Sequence, residues 1–127
     1  MSCCSFSNLS GSLKKMWHFH LSRYWFDKIK NGSKKIEFRF LTERLQKQLG
    51  KDSLRPGGWS KIRFYCGYPK KNDSSKILEA SLYVVSFIRF YELPSDVRAF
   101  FLKQKNIVQL FDDSIFVCFE FGGLRNV

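Results

Sequence analysis

The sequence lacks several features that would assign it to a common class. No apolar run approaches the roughly 18 residues that a helix needs to cross a bilayer. The first 15 residues, MSCCSFSNLSGSLKK, have no basic start followed by an apolar block, so they do not form a secretory signal. No G-x-S-x-G elbow and no Walker loop are present. We therefore expect an intracellular, cytoplasmic protein with no membrane partner, outside the serine-hydrolase and P-loop classes.

Metal-binding and disulfide-forming residues are also few. The chain has four cysteines and two histidines: Cys3, Cys4, Cys66, Cys118, His18 and His20. Their spacing does not match a zinc site. Two of the cysteines lie in apolar, strand-like segments, where a free thiol packs as a small hydrophobic side chain. We expect free thiols and neither a metal nor a cofactor.

Acidic residues are scarce, and their distribution is uneven. The formal net charge is +11. Residues 1–76 contain 17 Lys and Arg against five acids, whereas residues 77–127 contain five against six. A polyanion partner, nucleic acid before membrane, explains this asymmetry best. The alternative is a basic protein with no such partner.

What the sequence does contain is the pattern of one aromatic-rich domain. A chain of 127 residues is long enough to bury one core. Residues 1–13 are Ser-rich and predict a flexible tail, residues 14–121 predict the folded domain, and residues 122–127 predict a C-terminal tail. The elements alternate as strand, helix, strand, helix, and then three strands with one helix among them. This order predicts an α+β fold: a small barrel of five or six strands with two or three short helices.

The strand predicted around Glu37 lies between two predicted helices. The helix RYWFDKIKN should end in a left-handed turn at Gly32, and Thr42 should cap a helix that Gly50 stops. Between them KKIEFRF alternates as a strand. We expect its apolar residues to point inward (Ile36, Phe38, Phe40) and its charged residues to point outward (Lys35, Glu37, Arg39). The closing segment FDDSIFVCFEF is apolar on both faces, which predicts an interior strand.

The charged face of KKIEFRF could carry chemistry. Glu37 and Arg39 project from one face about 7 Å apart, and Lys34 stands at the entrance to the strand. A carboxylate beside a guanidinium can hold a polar ring and a phosphate together. The alternative is a solvated strand face with an ion pair that contributes less than about 1 kcal/mol.

The residues Gly32, Lys34, Glu37 and Arg39 form the pattern G-x-K-x-x-E-x-R. The pattern follows a strand and a helix, and it precedes GGWSKIRFY, ILEASLYVV and FVCFEF. The motif in this context resembles the ASCH domain, a relative of the PUA family, over residues 14–121. The resemblance implies a PUA-like barrel whose cleft binds RNA or a modified nucleoside. Some relatives are amidohydrolases that deacetylate acetylated cytidine with the motif lysine, which is Lys34 here, and others are reported as ribonucleases.

Three functions follow from these observations. The first is an RNA-binding module whose nucleotide site comprises Gly32, Lys34, Lys35, Glu37, Arg39, Trp59, Lys61, Arg63 and Tyr65. Within this set Trp59 and Tyr65 are the candidates to stack an unpaired base. The second is an enzyme at the same cleft, with Lys34 as the catalytic group in an amidohydrolase, or with His18 and His20 as acid–base groups in a ribonuclease. The third is an interaction module whose basic half binds an acidic protein partner.

Overall fold

The computed structural model describes residues 15–52, 59–70, 73–104 and 110–127. Within these ranges the chain forms five strands and three α-helices. The strands are β1 (Lys15–Leu21), β2 (Ile36–Phe40), β3 (Trp59–Cys66), β4 (Ile77–Arg89) and β5 (Ile115–Asn126). The helices are α1 (Arg23–Lys30), α2 (Glu43–Asp52) and α3 (Ser95–Leu102). The predicted tail over residues 1–13 lies outside the described residues.

All five strands belong to one mixed sheet in the order β1-β3-β4-β5-β2. β1 runs parallel to β3, and the other neighbours are antiparallel. The sheet curls into a half-barrel, so that β1 and β2 form the two edges of an open seam. The α+β class, the number of strands and helices, and the interior position of β5 are as predicted.

β5 is apolar on both faces because both faces are covered. On one face the ring of Phe119 lies 4.9 Å from Trp17 and 5.0 Å from Phe19, on the concave side of the half-barrel. On the other face the ring of Phe116 lies 4.7 Å from Phe101 of α3. Each such buried ring contributes about 1.5–3 kcal/mol. The strand therefore joins two apolar layers, one inside the curled sheet and one beneath α3.

The helices are short, and no helix in the described ranges is long and apolar enough to cross a membrane. The predicted start and turn signals are confirmed at two positions. Gly32 follows α1 with a φ of +86°, and the hydroxyl of Thr42 accepts a 3.1 Å hydrogen bond from the backbone N–H of Leu45. The predicted stop at Gly50 is wrong, because α2 continues to Asp52. A glycine inside a helix costs about 1 kcal/mol relative to alanine, which does not by itself end the helix.

The predicted C-terminal tail over residues 122–127 is also wrong. β5 continues to Asn126, which pairs with Leu78 of β4, and Arg125 pairs with Glu79. The register shifts along this stretch, where Gly123 has a φ of +63°. The adjacent Gly122 and Gly123 therefore introduce an irregularity into β5 and do not terminate it.

Candidate functional site

A cavity of about 160 Å³ opens at the seam between β1 and β2. Arg39 spans this seam, since its guanidinium donates a 3.4 Å hydrogen bond to the carbonyl of His20 and lies 4.4 Å from the ring of Phe19. Side chains from α1 and α3, including Trp25 and Phe100, form an apolar wall. The other side of the cavity is charged and is formed largely by the segment that contains β2. We call this cavity the seam cleft.

Glu37 occupies the charged side of the seam cleft, and it is only 3 % exposed. It pairs across the sheet with Phe119, whose ring lies on the concave face of the half-barrel. Glu37 therefore points inward, and the predicted outward orientation is wrong. The predicted alternation is correct, but both faces of β2 are covered, so its charged face is a cleft and not a solvated surface.

Two cations hold the Glu37 carboxylate. Arg39 Nε donates a 2.8 Å hydrogen bond to Oε2, and Lys34 Nζ lies 2.9 Å from Oε1. Oε1 is buried. Its contact with Lys34 is an ion pair without hydrogen-bond alignment, and it accepts no aligned hydrogen bond from the described residues. The nearby ammonium offsets part of the cost of burying this oxygen. Such a group at a cavity wall is a candidate to receive a ligand donor.

The backbone places Lys34 above this carboxylate. After α1 the chain turns at Gly32, and the Lys34 N–H donates to the carbonyl of Lys28 at 3.1 Å. The Lys34 ammonium then lies 4.3 Å from the centroid of the Trp25 ring as well as beside Glu37. The contact with the aromatic face is an additional attraction for the positive charge. Lys34 is thus a fixed cation at the cleft wall and not a freely moving surface lysine.

Three of the nine predicted site residues line the seam cleft, namely Lys34, Glu37 and Arg39. Gly32 does not line it and instead turns the chain ahead of Lys34. Lys35 does not line the seam cleft. It is exposed, it lies beside an adjoining depression, and its carbonyl accepts a hydrogen bond from β5. The side chain of Trp59 lies outside the described part of the structure.

Two of the remaining predicted residues, Lys61 and Arg63 of β3, belong to a second charged cluster. Arg63 donates a 2.7 Å hydrogen bond to Oε1 of the buried Glu79, Arg125 donates to Oε2 at 2.5 Å, and Lys61 Nζ lies 3.7 Å from Oε2. The hydrogen bond from Arg63 is the largest cause that lowers the pKa of Glu79, against the opposing effect of burial. We call these four residues the Glu79 cluster; it carries three positive charges and one negative charge.

Tyr65 connects the two regions. Its ring lies 4.7 Å from the ring of His20, which lines the seam cleft. Lys61 and Arg63 do not line the cleft, although they lie on the same strand as Tyr65. The predicted single site is therefore two charged groups joined by a pair of aromatic rings.

Sequence reasoning missed the apolar wall of the seam cleft. Trp25 is one of several aromatic residues that the sequence offers as a base-stacking candidate, but it is not in the predicted site, and Phe100 and Gln104 follow the motif by more than 60 residues. No local pattern distinguishes these residues from ordinary core residues. Within the described ranges no group of three His, Cys, Asp or Glu could hold a metal ion.

The chain gives no significant match to any protein-family model, curated protein or solved structure. The ASCH interpretation therefore depends on the motif Gly32 to Arg39 and on the order of the surrounding strands, and it stays a prediction.

Proposed function

We propose that the seam cleft binds the base of one unpaired RNA nucleotide, and that the chain is an ASCH-type domain with a PUA-like barrel. The observation that supports this most is the Glu37 carboxylate, which is buried between Lys34 and Arg39 opposite an aromatic wall. This arrangement combines an acceptor, two donors and a flat apolar surface, as a nucleobase requires.

The size of the cleft limits what can enter it. Its volume of about 160 Å³ is below the roughly 300 Å³ at which pockets begin to enclose drug-sized ligands. A single base fits this description better than a whole nucleotide. The sugar and phosphate would then lie outside, where the side chain of Arg39 is 32 % exposed and within reach of an anion.

The donors and acceptors suggest which edge of a base is bound. Each oxygen of an ionised carboxylate has two acceptor sites, so Oε1 of Glu37 can accept from an exocyclic amino group or a ring N–H beside its contact with Lys34. Lys34 would then donate to a neighbouring carbonyl on the same base edge. A base that carries a donor next to a carbonyl satisfies both groups. Because the protein donors and acceptor are already in place, little ordering is needed on binding.

The contacts of Lys34 favour binding over hydrolysis. A lysine nucleophile must be a neutral amine when it attacks. Here the ammonium lies 2.9 Å from a carboxylate oxygen and 4.3 Å from the Trp25 centroid, and both contacts attract positive charge. The amidohydrolase alternative is tested by incubating the protein with free acetylated cytidine and measuring acetate. Turnover that is lost in Lys34→Gln would establish the enzyme.

Binding of short single-stranded RNA by Glu37 variants tests the proposal. Fluorescence anisotropy should be measured at two salt concentrations for the wild type, Glu37→Gln and Glu37→Ala. The matched control is Glu43→Gln, which removes the same charge from an exposed residue of α2 that pairs with Lys47. We expect both Glu37 variants to lose about 1–3 kcal/mol of binding free energy.

The control separates recognition from net charge. Removing one negative charge from a basic protein strengthens non-specific RNA binding slightly, so Glu43→Gln should bind as tightly as the wild type or slightly more tightly. If the Glu37 variants behave like this control, the cleft does not read a base and the proposal fails. Thermal melts of all variants must accompany the assay, because Glu37 is buried. Glu37→Gln keeps the side-chain volume and is the variant to use if Glu37→Ala unfolds.

A further inference from the structure

Four aromatic rings form a continuous column on the outer face of β1 and β3. His18 stacks on Tyr65 at 5.8 Å between centroids, Tyr65 on His20 at 4.7 Å, and His20 on Tyr68 at 4.2 Å, with interplanar angles of 25°, 20° and 18°. His18, His20 and Tyr68 are exposed, and Tyr65 is half-buried. We call these four residues the ring column. One of its members, His20, also lines the seam cleft.

The end of the ring column at Tyr68 is held in place and accessible. Gly67 has a φ of +66°, and its N–H donates to the carbonyl of Leu21 at 2.8 Å, which turns the chain so that Tyr68 lies over His20. The His20 ring is fixed in turn, because its Nδ1 lies 2.8 Å from the Gly67 carbonyl, which can only accept. Tyr68 remains 86 % exposed. Among the described residues no other ring stacks on it, so one flat face is open.

The other end of the ring column meets the Glu79 cluster. The strand register places His18 beside Arg63, Arg63 beside Glu79, and Glu79 beside Arg125, so that one polar row crosses four strands. The Glu79 cluster has a net charge of +2. Its cationic side chains remain partly exposed, at 46 % for Lys61 and 44 % for Arg125. Phosphate groups can therefore reach them.

We propose that the ring column and the Glu79 cluster bind the unpaired nucleotides next to the one in the seam cleft. This inference extends the proposed function and rests on it. A neighbouring base stacks on the open face of Tyr68, and phosphates of the strand contact Lys61, Arg63 and Arg125. Aromatic stacking with cations along the backbone is a general means of binding single strands. The full site would then extend over several nucleotides, from the seam cleft across β1 and β3 to β5.

The spacing of the outer face supports this path. Same-face residues along a strand repeat about every 7 Å, and neighbouring strands lie about 4.8 Å apart. Rings along β1 and β3 and cations across the four strands can therefore contact successive nucleotides of an extended RNA strand. The simpler alternative is that the ring column and the Glu79 cluster only stabilise the sheet. That alternative does not require Tyr68 to be exposed, since a ring that serves only packing would be expected to bury more of its surface.

A length series of RNA tests the inference with the full chain. Affinities for a mononucleotide and for oligonucleotides of two, three, four and six residues should be measured for the wild type, Tyr68→Leu and Arg125→Gln. The matched controls are Tyr91→Leu, an exposed tyrosine outside the column, and Arg89→Gln, ten residues along β4 from Glu79. Tyr68 is exposed, so Tyr68→Leu should fold. Arg125 also donates to the buried Glu79, so thermal melts must accompany Arg125→Gln.

The expected result is a gain in affinity with length that depends on these residues. The four-residue RNA should bind about tenfold or more tightly than the mononucleotide, and Tyr68→Leu should reduce its affinity about fivefold or more. Arg125→Gln should lower the salt slope for the longer RNAs by about 0.7, as expected when one phosphate contact is lost. Both variants should bind the mononucleotide like the wild type. An RNA that carries 2-aminopurine should show its fluorescence quenched by the wild type and less quenched by Tyr68→Leu.

Other outcomes separate the two proposals. If the mononucleotide binds but length adds nothing, or if Tyr68→Leu behaves like Tyr91→Leu, the outer-face site is refuted and the seam cleft stands. If the longer RNAs bind in a Tyr68-dependent manner and Glu37→Gln has no effect, the outer face is supported and the cleft is refuted. If polyglutamate competes as well as RNA of equal charge, the surface binds acidic chains in general and the inference fails.

Discussion

The isosteric change Glu79→Gln should produce a large loss of stability for a change of one atom in a side chain. Glu79 is 8 % exposed, and each of its carboxylate oxygens accepts a hydrogen bond from an arginine. Glutamine keeps the volume and one acceptor. It replaces the second acceptor with an NH₂ group that faces an N–H donor of Arg63 or Arg125. The change therefore removes the charge and one hydrogen bond without creating a cavity.

The magnitude follows from the exposure of the partners. A hydrogen bond to a charged group contributes about 1.5–3 kcal/mol, and breaking a fully buried ion pair costs about 3–5 kcal/mol. Here the side chains of Arg63 and Arg125 are 28 % and 44 % exposed, so water recovers part of the loss. We expect Glu79→Gln to lower the free energy of unfolding by about 2 kcal/mol. For a domain of this size that corresponds to a decrease in Tm of about 5–10 °C.

The pH dependence of the difference provides an internal check. The pKa of Glu79 is lowered below its ordinary value of 4.5 in the folded state, chiefly by the hydrogen bond from Arg63. The stabilisation is therefore complete above that value and is lost as the pH falls through the folded-state pKa. Urea unfolding of the wild type and Glu79→Gln should differ by about 2 kcal/mol at pH 7, and the difference should shrink under acid conditions.

Glu43→Gln is the control for this measurement. Glu43 is exposed and lies 3.4 Å from Lys47 one turn along α2, and such pairs contribute less than about 0.5 kcal/mol. If Glu79→Gln destabilises no more than Glu43→Gln at pH 7, the Glu79 cluster does not hold the sheet together. A difference that is the same at pH 7 and well below pH 4 would also refute the electrostatic argument, because a protonated carboxyl has already lost its charge.

Three further predictions concern pH, strand geometry and thiol reactivity. Partial burial, followed by nearby positive charge, lowers the pKa of His18 below 6.5 in the folded state. The free energy of unfolding should therefore decline as the pH falls below 6.5, and urea unfolding at pH 7.5 and 5.5 should show a smaller decline for His18→Asn than for the wild type. A Cβ atom at Gly122 would lie 2.6 Å from the ring of Tyr83; Gly122→Ala should destabilise by about 1 kcal/mol, and thermal melts should show a smaller effect in a Tyr83→Ala background. Burial raises the pKa of the Cys118 thiol, so a thiol reagent followed by mass spectrometry should modify Cys118 only after unfolding, and rapid modification of the native protein would contradict its burial.

Local signals in the sequence predicted the elements but not what covers them. The Thr42 cap and the left-handed turn at Gly32 depend on residues within four positions, and both are confirmed. The orientation of Glu37 depends on β5 and on both edges of the sheet, which are distant in sequence. The alternation of apolar and charged residues in β2 shows that its two faces differ. It does not show whether the charged face is exposed to water or lines the concave side of a curled sheet.

The second charged cluster shows the same limit more clearly. Lys61 and Arg63 lie in one segment, but Glu79 is 16 residues from Arg63, and Arg125 is another 46 residues away. The strand register alone brings these residues together. Arg125 also lies within residues 122–127, a range predicted from the sequence to be a tail. A bulge and a strand end have similar sequences, and only the pairing with β4 distinguishes them.

The two buried acids give the charge asymmetry of the chain a structural meaning. Each lies among more cations than it can neutralise, with Glu37 beside Lys34 and Arg39, and Glu79 among the three cations of its cluster. A free lysine or arginine loses about 2 kcal/mol of side-chain entropy when a ligand immobilises it. A buried carboxylate fixes these side chains during folding, so a smaller part of the entropy loss occurs on binding. On this argument the scarce acids organise positive charge at two places, Glu37 at the seam cleft and Glu79 on the outer face of the sheet. We therefore expect Glu37→Gln and Glu79→Gln to weaken specific RNA binding even though each makes the protein more basic.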